Sequence, residues 1–469
     1  MEHSELVPEA ILKLCDIRGK YPKPLGKPQA HTVGLAVGTF LKESPNRNIK
    51  VVVGGDIRDS TETLKKSLLQ GLEESGLKIV DAGLVSTPLL NFASGFAAAS
   101  AGIMVTASHN PPEYNGFKFF TFGEPASASW IHRFYQILGK GDFRKGAGIT
   151  EKKDFLPDYR NRLVRQIAAN FQGIKIVVDA GNGMSVLTAP QVLQTLGLEV
   201  EMLNGKMDGD YPGRGADSSD PGALEALGRR VLKSHASLGV AFDGDGDRAS
   251  FVDEMGREIP NEVILGLLSE EPLRRQPGLK IVYDGKCSDG LDQWIRSKGG
   301  EPVLERSGHT FIFDRFKKEK AHMAGEASGH FFLPGPFPGD ALYACLVLLK
   351  TLKGRGQTLS QALPPFPKRI STHDIKIPME FEGAQAVFEG LKTRALAMGG
   401  TVSGADGVRA VFKDGWGIAR LSVTEPVLSC RFEAEDLLKL KGLAEDWLKD
   451  FPEILKPTAQ RISDLKDPH

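Results

Sequence analysis

The sequence predicts three similar α/β domains followed by a smaller α+β domain. Three observations lead there. At 469 residues the chain exceeds what one hydrophobic core organises, and about three or four domains are the ordinary expectation. Three segments echo one another: NIKVVVGGD from residue 48, GIKIVVDAG from 173 and GLKIVYDGK from 278. Beyond residue 369 the pattern changes to strand-like pieces that end in a helical run.

Each echo is a short β-branched run closing on Gly and Asp. The first leads into TETLKKSLLQGLEESG (61–76), whose spacing is helical, so the unit reads as strand, loop and crossover helix. Functional loops of such units gather at the carboxyl ends of the strands. Charged or Pro/Gly-containing stretches at 139–154, 253–263 and 363–371 mark the connections. The expected domains are therefore 1–150, 151–256, 257–367 and 368–469, the last closing on the helix AEDLLKLKGLAEDWLKDF (434–451).

Composition narrows the function classes. Hydrophobic residues at 41% and charged residues at 25% are globular values, and 53 Gly with 28 Pro imply many turns. Lys plus Arg equals Asp plus Glu, at 59 each, which argues against tracking a phosphate backbone. Cys15, Cys287, Cys345 and Cys430 are far apart and form no C-x-x-C pair, so a reducing cytoplasm is expected and a zinc or disulfide scaffold is not. The N-terminal MEHSELVPEA lacks an apolar core, and the longest apolar run, ALYACLVLL (341–349), is too short for a membrane span; neither export nor a membrane partner is expected.

The chemistry concentrates in a few stretches. TASHNPPEYNGFK (106–118) carries Ser108 without the flanking glycines of a hydrolase nucleophile elbow, so its purpose must come from elsewhere in the chain. AFDGDGDR (241–248) alternates Asp243, Asp245 and Asp247 with glycine. Three carboxylates brought together repel, and a hard divalent cation is their natural partner. An EF-hand also begins D-x-D-x-D, with Glu254 at its twelfth position, but Arg248 stands where that loop needs glycine and ASLGVAF before it reads as a strand. The bland alternative is a solvated acidic turn.

GEASGH (325–330) sets Glu326, Ser328 and His330 at alternate positions; an extended loop would point all three one way, suited to sugar hydroxyls, whereas a plain polar turn is the competing reading. RLSVTEP (420–426) offers Arg420, Ser422 and Thr424 on one side of a loop, the donors a phosphate dianion needs, unless it is a strand with a polar face. Arg18 in CDIRGK, Lys118, Lys286 and His309 in RSGH read as basic residues at loop positions after strands.

Taken in order, Arg18, Ser108-His109-Asn110-Pro111, Asp243 to Arg248, Gly325 to His330 and Arg420-x-Ser-x-Thr424 span almost the whole chain. On these motifs the chain resembles the α-D-phosphohexomutase superfamily. Within it, YDGKCS with Lys286, the GH at 308–309 and DGWGIARLSVTEPVLSCRFEA look most like the bacterial phosphomannomutase/phosphoglucomutase branch. The resemblance implies four domains around a central active-site cleft, three with a shared α/β topology and mixed sheets and a fourth, smaller α+β domain that can rotate.

It further implies that Ser108 carries a phosphoryl group in the resting enzyme, with one Mg²⁺ per chain held by Asp243, Asp245, Asp247 and a phosphoserine oxygen. Arg18, His109, Lys118 and Arg248 would complete the catalytic group. Glu326, Ser328 and His330 would meet the sugar, and Lys286, His309, Arg420, Ser422 and Thr424 the phosphate that is not reacting. A mannose or glucose 1-phosphate would be phosphorylated at O6, turn end over end as the hexose 1,6-bisphosphate, which also activates the enzyme, and return its O1 phosphoryl group to Ser108. The implied partners are small phosphosugars without nucleic acid or membrane, and the implied assembly is a monomer or weak dimer.

Two positions depart from the family pattern. Val423 stands where a small or polar residue is usual, and Ala327 where methionine is common; both bear on which hexose is preferred. Three rivals compete: a phosphoglucosamine mutase, whose phosphate loop reads more like R-P-S-G-T-E-P; a metal-dependent sugar phosphatase; and a catalytically silent sugar-phosphate-binding protein. The second-phosphate and sugar loops speak against the phosphatase, and the intact Ser108 and aspartates against the silent protein.

Overall fold

The computed structural model describes residues 7–43, 49–367, 369–379, 381–404, 406–422 and 427–465, without the side chains of 381–383. It forms two compact units, Met1–Leu268 with His322–Leu363 and Ser269–Ala321 with Pro364–His469. Among the described residues the strands form four sheets, as four α/β domains require.

In the first unit, the first domain is built on the strand Lys50–Gly55, the first of the echoed segments, whose buried β-branched residues suit a strand covered on both faces. It pairs in parallel with Lys78–Leu84 and Ala101–Val105, while Tyr114–Thr121 runs antiparallel to Ala101–Val105 and to Ile17–Lys20. The sheet is mixed. Helices Lys27–Leu41 and Thr61–Glu74 cross at glycines: a Cβ on Gly71 would stand 2.1 Å from His31 O, so only glycine permits this approach.

The second domain repeats the plan. Lys175–Asp179 leads to helix Ser185–Thr195 and pairs in parallel with Glu199–Leu203 and Leu238–Phe242, after which Ala249–Asp253 returns antiparallel. Later in the same unit, Met323–Gly325 and Phe331–Phe332 form a short antiparallel hairpin. The apolar run 341–349 lies in helix Ala341–Arg355, capped by Asp340, which accepts the Tyr343 N–H at 2.9 Å. Among the described residues no helix is long and apolar enough to cross a membrane.

In the second unit the third echo is strand Lys280–Asp284, followed by helix Asp289–Ser297 and the parallel strand Glu301–Glu305. The C-terminal domain is antiparallel, with Val427–Ala434 at the centre between Gly415–Leu421 and Ile375–Pro378. Its core gathers Leu428, Phe432 and Trp447.

Several expectations change. The stretches read as connections carry structure: Ile149–Lys152 adds a parallel edge strand beside Lys78–Leu84, and Glu258–Ile259 pairs with Ala249–Asp253. Among the described residues the C-terminal domain holds two helices besides Leu437–Leu448, at Phe381–Ala397 and Pro452–Ser463. Arg18 and Lys118 lie in the strands Ile17–Lys20 and Tyr114–Thr121 rather than in loops, and their long side chains reach from the sheet to Asn110 and to Asp245.

Candidate active site

Ser108 lies in the loop after strand Ala101–Val105 and is fully buried. Its φ of 52° lies in the left-handed region, unusual for a non-glycine residue and a mark of a position fixed by its surroundings. The Ser108 N–H donates to Thr106 Oγ1 at 2.9 Å, and its hydroxyl donates to Asp243 Oδ2 at 2.9 Å. His109 Nδ1 lies 3.3 Å from the same hydroxyl oxygen.

The three aspartates sit on the turn between the antiparallel strands Leu238–Phe242 and Ala249–Asp253, which rules out the helix-flanked EF-hand. Their ligand oxygens lie within 4.8 Å of one another and all three residues are buried. Asp243 Oδ1 accepts the N–H groups of Gly246, Asp247 and Arg248, each at 3.1 Å, so the turn wraps around that carboxylate. Lys118 Nζ donates to Asp245 Oδ2 at 2.7 Å and to Asp247 Oδ2 at 2.6 Å. Thr87 Oγ1 donates to Asp245 Oδ2 as well.

Burial, with Asp245 and Asp247 beside it, pushes the Asp243 carboxyl well above the usual range. Asp247 goes the other way: burial opposes its ionisation, but Lys118, His330 and Arg248 outweigh it and hold the carboxyl low. Lys118 is raised, burial being outweighed by Asp245 and Asp247, and Arg248 is raised against the same opposition by Asp243 and Asp217.

Arg18 reaches the serine loop from its strand. Its guanidinium pairs with Asp16 Oδ2 at 2.8 Å and donates to Ala107 O at 3.1 Å and to Asn110 Oδ1. The 325–330 segment is not the extended loop its alternation suggests. It is a hairpin turn, closed by the Glu326 N–H on His330 O at 2.9 Å and the Gly329 N–H on Glu326 O at 3.0 Å, with Gly329 at φ 89°. The Ala249 N–H donates to Gly329 O at 3.0 Å, which ties this turn to the strand leaving the aspartates. Glu326 and His330 are buried and Ser328 half-buried. His330 stacks on Phe332, and burial pushes its pKa down to about 4, leaving a neutral ring 4.0 Å from Asp247.

The second unit holds the other expected residues. Arg420 lies in strand Gly415–Leu421, not in a loop, so the strand alternative describes its backbone; its Nε is 2.7 Å from Asp406 Oδ2. Lys286 follows strand Lys280–Asp284 and donates to Asp374 Oδ2 at 2.9 Å. Both cations are raised because their aspartates outweigh the cost of burial. Ser422 follows the strand, its N–H on Val427 O at 2.9 Å, and His309 opens helix His309–Lys318. Thr424 and Val423 lie outside the described residues.

The structure thus brings Ser108, His109, Arg18, Lys118, Arg248, the aspartates and the 326–330 turn together in one unit, and Lys286 with Arg420 in the other. Sequence reasoning missed Asp16, Asp56, Arg58, Thr87, Asp374 and Asp406. One signal was present: Asp-Ile-Arg occurs at 16–18 and again at 56–58, in both cases beside a strand of the first sheet.

The aspartate site fits a divalent cation. Asp245 Oδ1 and Asp247 Oδ1 are buried without a hydrogen-bond partner among the described residues, an arrangement that is costly unless something else meets those oxygens. The charge count agrees, since three carboxylates face Lys118 and Arg248, and a phosphoryl group would add about two more negative charges.

Four α/β domains, with a strained serine set against a carboxylate triad, define a sugar-phosphate mutase. The chain matches the phosphoglucomutase/phosphomannomutase α/β/α domain I at residues 11–145, domain II at 154–256, domain III at 260–369 and the C-terminal domain at 369–449. It is 36% identical over 449 residues to a phosphomannomutase/phosphoglucomutase of Pseudomonas aeruginosa, covering 94% of this chain and 96% of the relative. It is 36% identical over 432 residues to a phosphoglucomutase of Neisseria gonorrhoeae, covering 91% and 93%. A crystal structure of a phosphoglucomutase/phosphomannomutase family protein from Burkholderia thailandensis matches with a TM-score of 0.85 at 32% identity, covering 98% of this chain and 99% of that one. The chain belongs to the phosphoglucomutase/phosphomannomutase family of phosphohexomutases.

Proposed function

We propose that the chain interconverts the 1- and 6-phosphates of mannose and glucose, with Ser108 as the phosphoryl carrier. One observation carries the reading: the Ser108 hydroxyl, in a backbone conformation serine rarely adopts, is aimed at Asp243 2.9 Å away. A side chain held this way is preorganised for transfer rather than for packing. The mannose and glucose specificity is supported by the names of relatives at 36% identity.

In the first half reaction the bond from Ser108 Oγ to phosphorus breaks as the sugar O6 forms its own, and the proton that leaves the O6 hydroxyl is balanced by the one that returns Ser108 Oγ to a hydroxyl. Arg18 and Lys118 supply positive charge, and Arg18 is kept in place by Asp16. Mg²⁺, when bound, would neutralise phosphoryl oxygen charge, held by Asp243, Asp245, Asp247 and a phosphoserine oxygen. His330 is neutral at physiological pH and can accept a hydrogen bond from a sugar hydroxyl, while Glu326 and Ser328 would orient the ring. His109, beside the Ser108 oxygen, would donate to it as the transferred group departs.

The second half reaction returns the O1 phosphoryl group to Ser108 after the 1,6-bisphosphate has turned over. Each half therefore needs cations and hydroxyl donors for the idle phosphate, roles we assign to Lys286, His309 and Arg420 and to Ser422 and Thr424. Asp374 and Asp406 hold Lys286 and Arg420 in fixed rotamers until a phosphate competes for them. Hexose 1,6-bisphosphate would serve as activator. Four buried cysteines, none of them in a disulfide, support a reducing compartment, the cytoplasm.

The test is a substrate panel. Glucose, mannose, glucosamine and N-acetylglucosamine 1-phosphates are assayed with Mg²⁺ and a trace of glucose 1,6-bisphosphate. Glucose and mannose 1-phosphates should turn over at comparable rates. A preference of more than tenfold for glucosamine 1-phosphate would move the assignment to the amino sugar.

A further inference from the structure

The second Asp-Ile-Arg triplet builds a clamp around Ser108. Arg58 is entirely buried, with its Nε 3.2 Å from Asp56 Oδ2. Its Nη2 donates to Ser108 O at 2.7 Å and Asn110 O at 2.6 Å, and its Nη1 to Pro111 O at 2.6 Å and Tyr114 O at 3.0 Å. Asp56 in turn accepts Thr61 Oγ1 and Thr106 Oγ1, each at 2.6 Å, and Thr106 Oγ1 accepts the Ser108 N–H. The Ser108 peptide is thus held at its carbonyl by Arg58 and at its N–H through Thr106 and Asp56.

The same cation reaches toward the aspartates. The Arg58 guanidinium lies 5.1 Å from the centre of the Tyr211 ring. That ring packs on Gly244 in the aspartate turn, where a Cβ would stand 3.3 Å from Tyr211 Cε1 and 2.7 Å from Ser108 O. No side chain fits between the two loops, so their spacing is set by what braces them.

We propose that the buried Asp56–Arg58 pair is a positioning device that fixes Ser108 Oγ against the three aspartates. This rests on Ser108 being the phosphoryl carrier. A planar guanidinium satisfies four carbonyls and a carboxylate at once; an ammonium at the same place cannot. Released from the clamp, the serine loop relaxes toward ordinary backbone angles, and the hydroxyl loses its alignment while the sugar and phosphate contacts stay intact.

The experiment is single-turnover transfer from phosphorylated enzyme to saturating glucose 1-phosphate, for wild type, Arg58→Lys and the near-isosteric Thr106→Val. Rates are normalised to the folded, phosphorylated fraction. Arg58→Lys should transfer about 100-fold and Thr106→Val about tenfold more slowly, with KM within about threefold of wild type. A residue that only supports folding would lower the folded fraction and leave the normalised rate alone. Should Arg58→Lys fail to fold, Thr106→Val decides. Phosphate mapped to Ser108 in wild type, with normalised rates of the folded variants within threefold of wild type for Arg58→Lys and twofold for Thr106→Val, overturns the clamp alone. Wild type that never carries phosphate on Ser108 overturns the carrier reading beneath it.

Discussion

Ser108 donates a 2.9 Å hydrogen bond to Asp243 across 135 residues of sequence, joining the loop after a strand of the first sheet to the acidic turn of the second. The expected donor of the phosphoryl group and the expected metal site are therefore one structure.

Removing metal should silence the enzyme without unfolding it. Excess chelator should abolish turnover and Mg²⁺ restore it, because the triad's unpartnered oxygens meet a dication only when it is bound. Asp245→Asn should lower kcat by about two orders of magnitude or more. Mg²⁺ should raise the melting temperature of wild type and not of the variant. Full activity in chelator would defeat the assignment.

Arg420→Ala tests the idle-phosphate role. Losing a charge-assisted contact costs about 2 to 4 kcal/mol, so kcat/KM should fall by about 30- to 1,000-fold. Ser108 should still be phosphorylated by excess bisphosphate, while released 1,6-bisphosphate rises relative to isomerised product. A kcat/KM within about threefold of wild type would return Arg420 to an ordinary strand residue paired with Asp406.

The parts legible in the sequence were those with a local signal. Parallel strands buried on both faces read as continuous apolar runs, so Lys50–Gly55, Lys175–Asp179 and Lys280–Asp284 announced themselves. Alternating aspartate and glycine did the same for the metal turn. Helix Pro452–Ser463 was hidden because Pro452 and Pro457 read as breakers, although one opens the helix and the other is tolerated inside it. Helix Phe381–Ala397 carries Gly390, a weak helix former, because a Cβ there would stand 2.5 Å from the Phe451 ring. Asp374 was unreadable for a different reason: its partner Lys286 lies 88 residues away, and an isolated acid carries no signal of so distant a contact.

Asp340 should give the first unit a pH-dependent stability. Burial pushes its carboxyl from 3.8 up to about 6, despite hydrogen bonds from the Tyr343 N–H and the Tyr159 hydroxyl. Between about pH 4 and pH 6 the folded state keeps a proton that the unfolded chain releases. Stability is therefore fullest below about pH 4, falls by up to about 3 kcal/mol through that window, and is level above it. Asp340→Asn keeps the helix cap and stays neutral. Its stability relative to wild type, followed by denaturant unfolding, should grow by about 2 kcal/mol from pH 4 to pH 7; a difference independent of pH would contradict the assignment.

Where the phosphate sits decides whether Ser108 is the phosphoryl carrier. Enzyme treated with glucose 1,6-bisphosphate is analysed by intact mass and by peptide mapping, alongside Ser108→Ala. One phosphoryl group should map to Ser108 in wild type, and Ser108→Ala should carry none and lose nearly all turnover. Phosphate on an aspartate of the 243–247 turn, or undiminished turnover in Ser108→Ala, would contradict the account.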